Sequence, residues 1–455
     1  MRRPWTMRTG VSIAVLLLIG GCAASGDDGV EVASTTAAAT ALGDPFPSTD
    51  PVAFAEAADT FAEVEFIEDG LGPTFNEGAC GTCHSIPVLG GSGEQVEQRF
   101  GRVTDGVFFG FDRDEEDQGG TLRQLFANGE YIAPNGQVCT VNVETEPASA
   151  NIRTGRRTTP LFGLGLVDAM PDGFFDFLAA IQPASVRGTV MRVPVALPDP
   201  RDPTQTIGSM RVGRFGHKAL VPSLLVFSGD AYDNEMGITT QSCFSGTSIL
   251  AFAIENFPNN VVTPPGCNGG DLAPLQPPGV PDVPELTDDV VGPCDDGRTE
   301  IQDDLVLFTT FMENLAPPPQ DTSDPVALVA GAFQFARAQC ATCHTPIPFI
   351  TPRTPFNGVP GNFVFFPFSD FLTHDMGALS DGIGNSGEPV ALTRLMRTAP
   401  LWGARFNTTF LHDGRATSVR DAILAHDGQG RAARDAFNRL RNFEKNQLIK
   451  FVNSI

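Results

Sequence analysis

Two copies of the pentapeptide Cys-x-x-Cys-His restrict what this chain can fold into more than any other feature. They are Cys80-Gly-Thr-Cys83-His84 and Cys340-Ala-Thr-Cys343-His344. In such a motif two thiols add to the vinyl groups of one porphyrin, and the imidazole beside the second thiol binds the iron. A zinc site or a redox dithiol also uses cysteine pairs, but neither explains an adjacent histidine that occurs twice. The sequence therefore predicts two covalently bound haem c groups, with His84 and His344 as proximal iron ligands.

The length of the chain indicates how many domains it can form, and its charge indicates which classes of partner it can bind. A chain of 455 residues is long enough for two domains of ordinary size. The net charge of -24 argues against nucleic acid as a partner and is compatible with a basic protein as electron donor.

The N-terminus has the pattern of a bacterial export signal. Arg2 and Arg3 precede the apolar run from Val11 to Ile19, which is too short for a permanent membrane span. The small residues before Cys22 resemble a lipoprotein cleavage site, with ordinary secretory cleavage after it as the alternative. We expect residues 1–22 to be a signal peptide, residues 23–50 to be a flexible tether, and the protein to lie in the periplasm or at the cell surface, anchored to the membrane through lipidated Cys22.

Four of the nine cysteines remain when Cys22 and the four haem thiols are set aside. An even number of cysteines in an oxidising compartment predicts two disulfides, and three pairings are possible, with free thiols as the alternative. We expect Cys267 to pair with Cys294, which leaves Cys139 and Cys243 for the second bond.

A second repeat follows the haem motifs. The string Arg157-Thr-Thr-Pro-Leu-Phe-Gly163 in the first half corresponds to Arg397-Thr-Ala-Pro-Leu-Trp-Gly403 in the second, and each leads to an Asp-Gly pair, at Asp172 and at Asp413. This repeat predicts two one-haem modules, at residues 51–315 and 316–455.

Helices are the dominant local prediction. Apolar residues recur at helical spacing over 51–67, 327–340, 418–426 and 433–455, and the stretches 189–197 and 207–213 predict a small hairpin. We therefore expect a mainly α protein of two cytochrome c-like haem domains, with long Pro/Gly-rich loops and a small β-hairpin insertion.

Several strings together resemble one bacterial family. They are Gly213-Arg-Phe-Gly-His-Lys218, Asn234-Glu-Met-Gly-Ile-Thr239, Phe311-Met-Glu-Asn-Leu-Ala-Pro-Pro318, His374-Asp-Met-Gly377, Arg397 to Gly403 and Phe410-Leu-His-Asp-Gly-Arg415. With the two haem motifs they are similar to the di-haem oxidoreductases, often labelled thiol oxidoreductases, which are related to di-haem cytochrome c peroxidases. The resemblance covers residues 50 to 455 and implies an exported protein with two c-type haems and peroxidase-like activity. It also admits a calcium ion between the domains, although no compact acidic loop marks a site for one.

The chain departs from the family pattern at two positions. The peroxidases have a methionine ligand where this chain has Leu411, and a leucine side chain cannot bind iron. The family usually has tryptophan where this chain has His217.

The distal iron ligands must therefore come from the remaining histidines and from methionines. We take His374 and Met376 as the leading candidates, since they follow Cys343 by about 30 residues. His217, His412, Met170 and Met236 are alternatives, each with a structural role as the competing interpretation, and His426 is expected to be a surface or capping residue.

A catalytic haem needs a group that moves protons and a group that stabilises charge. His374, His412 and Glu235 are our candidate catalytic residues, while Asp375, Asp413, His217 and Arg415 remain possible. Arg157 and Arg397 are expected to pair with haem propionates, and Trp402 either relays electrons between the haems or packs as a buried ring.

Three functions fit this pattern. In the first, one haem takes electrons from a small redox protein or another donor and the other reduces peroxide or acts on another small molecule. The second is an electron carrier without catalysis. The third is a surface lipoprotein whose haems reduce iron for uptake. An open iron face separates the first function from the second.

Overall fold

The computed structural model describes residues 41–111, 120–132, 136–196, 198–199, 205–238, 240–244, 247–252, 267, 289–291, 304–353 and 358–455. Cys22, the expected signal peptide and most of the expected tether lie outside these ranges. Within them, no helix is long and apolar enough to cross a membrane.

Ten α-helices lie in the described ranges. They are α1 (Pro51–Ala62), α2 (Cys80–Cys83), α3 (Leu164–Asp168), α4 (Asp172–Ile181), α5 (Leu224–Met236), α6 (Asp304–Asn314), α7 (Pro325–Arg337), α8 (Val419–Ala425), α9 (Arg431–Arg439) and α10 (Asn442–Ser454). Side chains of Asp50, Ser223, Asp324 and Ser418 cap the first turns of α1, α5, α7 and α8, because each accepts a bond from a backbone N–H that has no partner inside the helix.

The helix predictions are confirmed in position, with two differences in length. The first helix ends at Ala62, five residues before the expected end. The stretch 433–455 is two helices, because the chain leaves the helical conformation at Leu440 and Arg441 before α10 begins.

The prediction of a mainly α protein with cytochrome c-like domains is wrong, because the fold mixes helices with many small β-sheets. The described strands are β1 (Thr74–Phe75), β2 (Val96–Thr104), β3 (Val107–Phe109), β4 (Leu122–Arg123), β5 (Phe126–Ala127), β6 (Gly129–Ile132), β7 (Val138–Val141), β8 (Ile152–Arg157), β9 (Arg192–Pro194), β10 (Met210–Val212), β11 (Thr240–Phe244), β12 (Thr247–Phe252), β13 (Asp289–Val291), β14 (Phe349–Ile350), β15 (Val364–Phe365), β16 (Thr373–Asp375) and β17 (Leu395–Arg397). Most have two to four residues, too few to show the alternating pattern by which a strand is recognised in sequence.

The sheet around β2 positions several residues of the haem region. Strand β2 pairs antiparallel with β3, β4 and β8, and Val96 lies opposite Arg157 in the β2–β8 register. The expected small hairpin is confirmed as β9 and β10, which pair with Val193 opposite Arg211.

One hydrophobic core contains residues from both predicted modules and is rich in phenylalanine. The rings of Phe61 in α1 and Phe311 in α6 are 4.7 Å apart, and those of Phe335 in α7 and Phe451 in α10 are 5.3 Å apart. The division at residue 315 stays a prediction, and the two halves share this core.

The expected Cys267–Cys294 disulfide is wrong, because Cys267 is bonded to Cys139 in β7. The two α-carbons are 5.6 Å apart although the residues are 128 positions apart in the chain. Cys139 lies in β7, and Cys267 packs against it together with Tyr131 of β6. The bond therefore depends on a contact between segments far apart in the chain, which spacing could not reveal. Cys294 and the side chain of Cys243 lie outside the described part of the structure.

Candidate haem sites

Both Cys-x-x-Cys-His motifs form a short helical turn that brings the histidine next to its thiols. The first is α2, and the second is a 3-10 turn over Cys340–Thr342 directly after α7. In each turn the histidine N–H donates to the carbonyl of the first cysteine at 3.0 Å. None of the four cysteines takes part in a disulfide, so all four thiols are available to a porphyrin.

A backbone carbonyl orients each proximal imidazole through its Nδ1 atom. His84 Nδ1 lies 3.3 Å from Gly91 O, and His344 Nδ1 lies 3.0 Å from Phe368 O. Such a bond fixes the tautomer and leaves Nε2 for iron. Burial lowers the pKa of each of the two imidazoles to about 4, so both are neutral, as metal ligation requires.

The Arg-Thr-x-Pro-Leu repeat occupies equivalent places in the two modules. Leu161 N–H donates to Gly90 O, and Leu401 N–H donates to Pro367 O, both at 2.9 Å. Each accepting carbonyl lies one residue before the carbonyl that holds the proximal histidine. The repeat seen in the sequence is therefore also a structural repeat around the haem motifs.

The segment of the first module that is equivalent to the 410–416 loop is not the one that the sequence repeat predicted. Phe215 pairs with Val221 in an isolated antiparallel β-bridge, and Phe410 pairs with Ala416 in a second bridge of the same kind. His217 and His412 each lie two residues after the first residue of their bridge, so they are structural counterparts. Asp172 instead begins α4, so its expected equivalence with Asp413 is wrong.

The two modules exchange backbone hydrogen bonds through these loops. Arg157 N–H donates to His412 O at 2.7 Å, and Arg397 N–H donates to His217 O at 2.8 Å. Each module's arginine is thus bound to the other module's histidine loop, so both modules build the region around the second motif.

The second motif opens into a cavity of about 340 Å³. Its walls include Cys340, Cys343, His344, His217, His374, Met376, Arg397, Trp402, Leu411, His412, His426 and Arg157. The four histidines outside the motifs therefore all line this one cavity. Phe215, Phe227, Phe335 and Phe410 add aromatic wall, which suits a flat apolar macrocycle.

Two buried side chains in this cavity carry polar atoms without a hydrogen-bond partner. They are Nε and Nη2 of Arg157 and Nε2 of His412. Buried polar groups in proteins are almost always paired. Burial also lowers the pKa of both groups. The unpaired guanidinium atoms fit a haem propionate, and the unpaired imidazole nitrogen fits a ligand at the iron or hydrogen-bonded beside it, so the residues present fit a haem c group.

His374 lies on the cysteine side of the cavity with both ring nitrogens engaged. Its Nε2 is 3.0 Å from Asp370 Oδ2, and its Nδ1 is 3.8 Å from Cys343 Sγ. Asp370 in turn accepts from Gln182 Nε2 at 2.6 Å. These contacts favour a positioning role for His374, and its assignment as a distal ligand stays a prediction.

The remaining predicted residues of this cavity are placed as follows. Met376 is half-buried in the wall, and Trp402 is buried with its ring centroid 6.1 Å from that of Phe365. Arg397 donates from Nε to Gly216 O at 2.7 Å. His426 caps α8 as expected, and its ring centroid is 6.5 Å from that of His344, so it also lines the second cavity.

Glu235 lies at the other haem motif, away from His374 and His412. It interacts electrostatically with Cys83 and accepts from Asn76 Nδ2 at 2.8 Å. It also shares a hydrogen bond with Glu97, whose carboxylate is paired with Arg99. The structure thus divides the three predicted catalytic residues between two sites.

The pKa values of these two carboxyl groups move in opposite directions. Burial and the neighbouring Glu97 raise the pKa of Glu235 well above its ordinary value. Burial disfavours the charge of Glu97 as well, but Arg99 lies against it and lowers the pKa of Glu97 to about 2. These opposite directions favour a proton on Glu235 over one on Glu97.

Residues 287–455 match the family model described as "Di-haem oxidoreductase, putative peroxidase". This match confirms the resemblance to the di-haem oxidoreductase family. It includes the second motif and most of the residues of its cavity, but begins far beyond the first motif. No curated protein and no solved structure matches the chain.

The family supports haem as the cofactor and a peroxidase-like oxidoreductase as the class of protein. Among the described residues, one group of His, Cys and carboxylate ligand atoms could hold a metal ion: Cys343, Asp370 and His374, within 4.8 Å of one another. Zinc at this group would leave Cys340 and His344 unused, whereas haem uses the whole motif. The group contains a thiol, which calcium avoids, so the calcium ion stays an expectation from the resemblance.

Sequence reasoning missed Asp370, Glu97 and Arg99. Asp370 follows the phenylalanine-rich stretch 363–368, and the two others lie in β2, which the sequence did not reveal as a strand. For Asp370 alone there was a signal, because a carboxylate four residues before a buried histidine is a common partner of its imidazole.

Proposed function

We propose that this chain is an exported di-haem c-type oxidoreductase that reduces peroxide. In this proposal Cys340, Cys343 and His344 would hold the haem that receives electrons from a small redox protein, and Cys80, Cys83 and His84 would hold the haem at which the substrate is reduced. The observation that carries the proposal is the carboxyl pair of Glu235 and Glu97 beside Cys83, since peroxide reduction needs a held proton.

The residues around the first haem supply the proton chemistry. When bound, haem supplies one-electron redox chemistry at its iron. Reduction of hydrogen peroxide to two waters consumes two electrons, which the donor provides, and two protons. Glu235, which is neutral, donates a proton to the departing oxygen, and the Glu97–Glu235 pair takes a replacement from solvent while Arg99 balances its negative charge.

The residues around the second cavity hold and orient its haem. The unpaired Nε and Nη2 atoms of Arg157 would bind one propionate of a haem in this cavity, and Arg397, which lines the same cavity, would support the other. His412 lines the same cavity with a buried Nε2 that has no hydrogen-bond partner, and it would be available to bind or hydrogen-bond a group at the iron. Trp402 forms a buried part of the wall.

Export and membrane anchoring are part of the same proposal. They are supported by the charged and apolar start of the chain, by Cys22 after small residues, and by the Cys139–Cys267 disulfide, a bond typical of oxidising compartments. The acidic net charge favours a basic partner as electron donor.

The direct test is peroxidase turnover of the Glu235→Gln variant with a chemically reduced electron donor. Removal of a general acid typically lowers the turnover rate by about 100-fold or more, and we expect that loss without loss of either haem. Glu77→Gln is the matched control, because Glu77 is another carboxyl group that interacts electrostatically with Cys83. Equal rates in the two variants would remove Glu235 from the mechanism.

Electron paramagnetic resonance of the oxidised and half-reduced protein tests the open iron. A high-spin signal in either state supports the peroxidase. Two low-spin signals in the oxidised protein and one in the half-reduced protein, with no high-spin signal in either state, would mean that both irons are six-coordinate, and the chain would then be an electron carrier.

A further inference from the structure

Charge is distributed unevenly along this chain. The whole chain has a net charge of -24, whereas residues 415–455 contain eight arginine and lysine residues against four aspartate and glutamate residues. This segment forms α8, α9 and α10, and each of these helices contributes residues to the wall of the second cavity. A locally basic segment of an acidic protein therefore encloses part of the second cavity.

The carboxylates of this segment are engaged in local contacts, whereas several of its cations are not. Three carboxylates pair with an arginine within 3.0 Å: Asp427 with Arg431, Asp435 with Arg434, and Glu444 with Arg441. The fourth, Asp421, accepts from Ser418 Oγ at 2.6 Å. Arg420, Lys445 and Lys450 have no carboxylate partner among the described residues. Three positive charges are thus left without an opposite charge in contact.

These three cations lie on one surface formed by α8 and α10. Arg420 Nη2 donates to Asn446 Oδ1 at 3.1 Å, and Lys450 follows Asn446 by one turn on the same side of α10. The guanidinium carbon of Arg420 and Nζ of Lys445 lie 6.0 Å and 5.5 Å from the ring centroid of Phe437, which is buried beneath them. We call Arg420, Lys445 and Lys450 the basic face.

Two apolar side chains are exposed beside the basic face. Leu424 follows Arg420 by one turn of α8 and is 41% exposed, and Phe443 precedes Asn446 by one turn of α10 and is 52% exposed. Protein interfaces combine apolar contacts with a polar rim. Sites for anionic lipid typically use about four to eight basic residues, more than the three of the basic face. The composition of this surface therefore favours a protein partner over a membrane.

The basic face lies on the outer side of helices whose inner side lines the second cavity. Ile423 of α8 and Leu448 of α10 line the cavity. An α-helix with its side chains is about 10–12 Å across. A protein bound to the basic face would thus be separated by about one helix diameter from a haem held by Cys340, Cys343 and His344.

We propose that the basic face is the docking surface for an acidic one-electron donor protein that reduces the haem of the second motif. The inference rests on the proposed function, because it requires a haem in the second cavity. In the transfer the donor loses one electron and the ferric iron of that haem gains it, so no other reactant is consumed.

Local charge, rather than the charge of the whole chain, selects the docked partner. The net charge of -24 favours a basic donor at long range. At physiological salt, however, charges are screened beyond about 8–10 Å, so a docked protein interacts mainly with the groups that it contacts. At the basic face those groups are cations, and an acidic surface complements them.

The test is the binding of an oxidised plant-type ferredoxin, a small acidic one-electron protein, to the oxidised full-length protein with both haems. Calorimetric titration measures the affinity without any electron transfer. We expect Lys445→Glu and Lys450→Glu each to weaken binding by about threefold or more, because an attraction is replaced by a repulsion between like charges. Added salt should weaken the binding of the unaltered protein.

Arg353→Glu is the matched control. Arg353 is an exposed arginine without an ion pair among the described residues, it lies outside the basic face, and its reversal changes the net charge by the same amount. We expect it to leave the affinity unchanged. Equal losses in Arg353→Glu and Lys450→Glu, or binding that strengthens with salt, would mean that total charge governs the encounter, and the proposal would be wrong. It would also be wrong if a small basic cytochrome c binds and reduces the second haem while the ferredoxin does not bind.

Cosedimentation with lipid vesicles tests the competing occupant, a membrane. Vesicles of phosphatidylcholine are compared with vesicles that also contain phosphatidylglycerol, since a lipid anchor on the chain acts equally on both. We expect no extra binding to the anionic vesicles through the basic face. Extra binding that Lys450→Glu removes would assign the basic face to the membrane and overturn the proposal.

Peroxide turnover of the unaltered protein with a chemical reductant separates this proposal from the proposed function. If peroxide is turned over but the ferredoxin does not bind, docking at the basic face fails and the proposed function stands. If the ferredoxin binds at the basic face but peroxide is not turned over, the proposed function fails, and the basic face stands as the site of electron entry to a carrier.

Discussion

Leu411 stands at the position where the resemblance to the peroxidases implies a methionine ligand. It lines the second cavity in a left-handed backbone conformation, with φ of 72°. Its structural counterpart in the first module is Gly216, since Phe215 and Phe410 make equivalent bridges. A side chain without a ligand atom therefore lines the second cavity beside His412.

We predict that Leu411→Met gives the second haem a methionine ligand. The substitution conserves volume and leaves the backbone strain unchanged, since neither side chain is branched at Cβ. A thioether on ferric and ferrous haem raises the reduction potential, and we expect one of the two potentials to rise by more than about 59 mV.

The control for this prediction is Leu411→Ala, which opens the same face without supplying sulfur. A methionine variant that titrates like the alanine variant would show that a native side chain already occupies the position. His412, whose Nε2 is unpaired and buried, is then the ligand to test next.

At the scale of elements, sequence reasoning located the helices and the haem turns but not the contacts between modules. The α7 helix is readable because Leu328, Ala332, Phe335 and Ala336 recur at helical spacing. Strand β8 could not be recognised in the sequence, because Ile152 is the one apolar residue in Ile152-Arg-Thr-Gly-Arg-Arg157. Its extended conformation is stabilised by pairing with β2. The reciprocal bonds of Arg157 and Arg397 were unpredictable for the same reason, since they join backbone groups whose proximity only the tertiary fold decides.

The helix pair α7 and α10 holds the second haem turn, and a glycine sets their distance. A Cβ at Gly331 would lie 2.3 Å from Gln447 O and 2.4 Å from Phe451 Cβ. Neither atom can move away easily, because Gln447 O belongs to the backbone of α10 and Phe451 Cβ belongs to a buried phenylalanine. Since α7 ends three residues before Cys340, separation of the two helices would displace the haem turn.

We predict that Gly331→Val lowers the free energy of unfolding by about 1–3 kcal/mol, the usual cost of overpacking. The same strain should reduce the occupancy of the second haem more than that of the first, measured as haem per chain after digestion into separate haem peptides. Ala330→Val in the same helix is the control for valine in a helix. Equal losses in the two variants would mean that the close approach of α10 is unimportant.

For the whole molecule, several buried carboxyl groups determine how stability changes with pH. Burial is the main cause that raises the pKa of Glu65, Glu144 and Asp233 to about 8. All three are less than a tenth exposed. In the unfolded chain the same groups ionise near pH 4. Between about pH 4.5 and 8 the folded protein therefore holds protons that the unfolded chain has released.

We predict that the protein is more stable at pH 5.5 than at pH 8. Where the folded state binds more protons, stability falls as pH rises, by about 1.4 kcal/mol per pH unit for each such group at most. The net charge of -24 acts in the same direction, because self-repulsion grows as more carboxyl groups ionise. Denaturant unfolding of the haem-loaded protein at pH 5.5, 6.5 and 8 measures the trend.

Glu144→Gln isolates one of these groups. Glu144 is fully buried, and its Oε2 accepts from Gln124 N–H, a bond that a glutamine oxygen can also accept. The variant should gain stability at pH 8, show little change at pH 5.5, and so have a shallower pH dependence. Glu130→Gln, at an exposed carboxyl, should leave both values unchanged. If the stability of the unaltered protein instead rises from pH 5.5 to 8, these carboxyl groups are ionised in the folded state. The same burial argument would then fail for the proposed proton on Glu235, and the protonation state of that group would have to be measured directly.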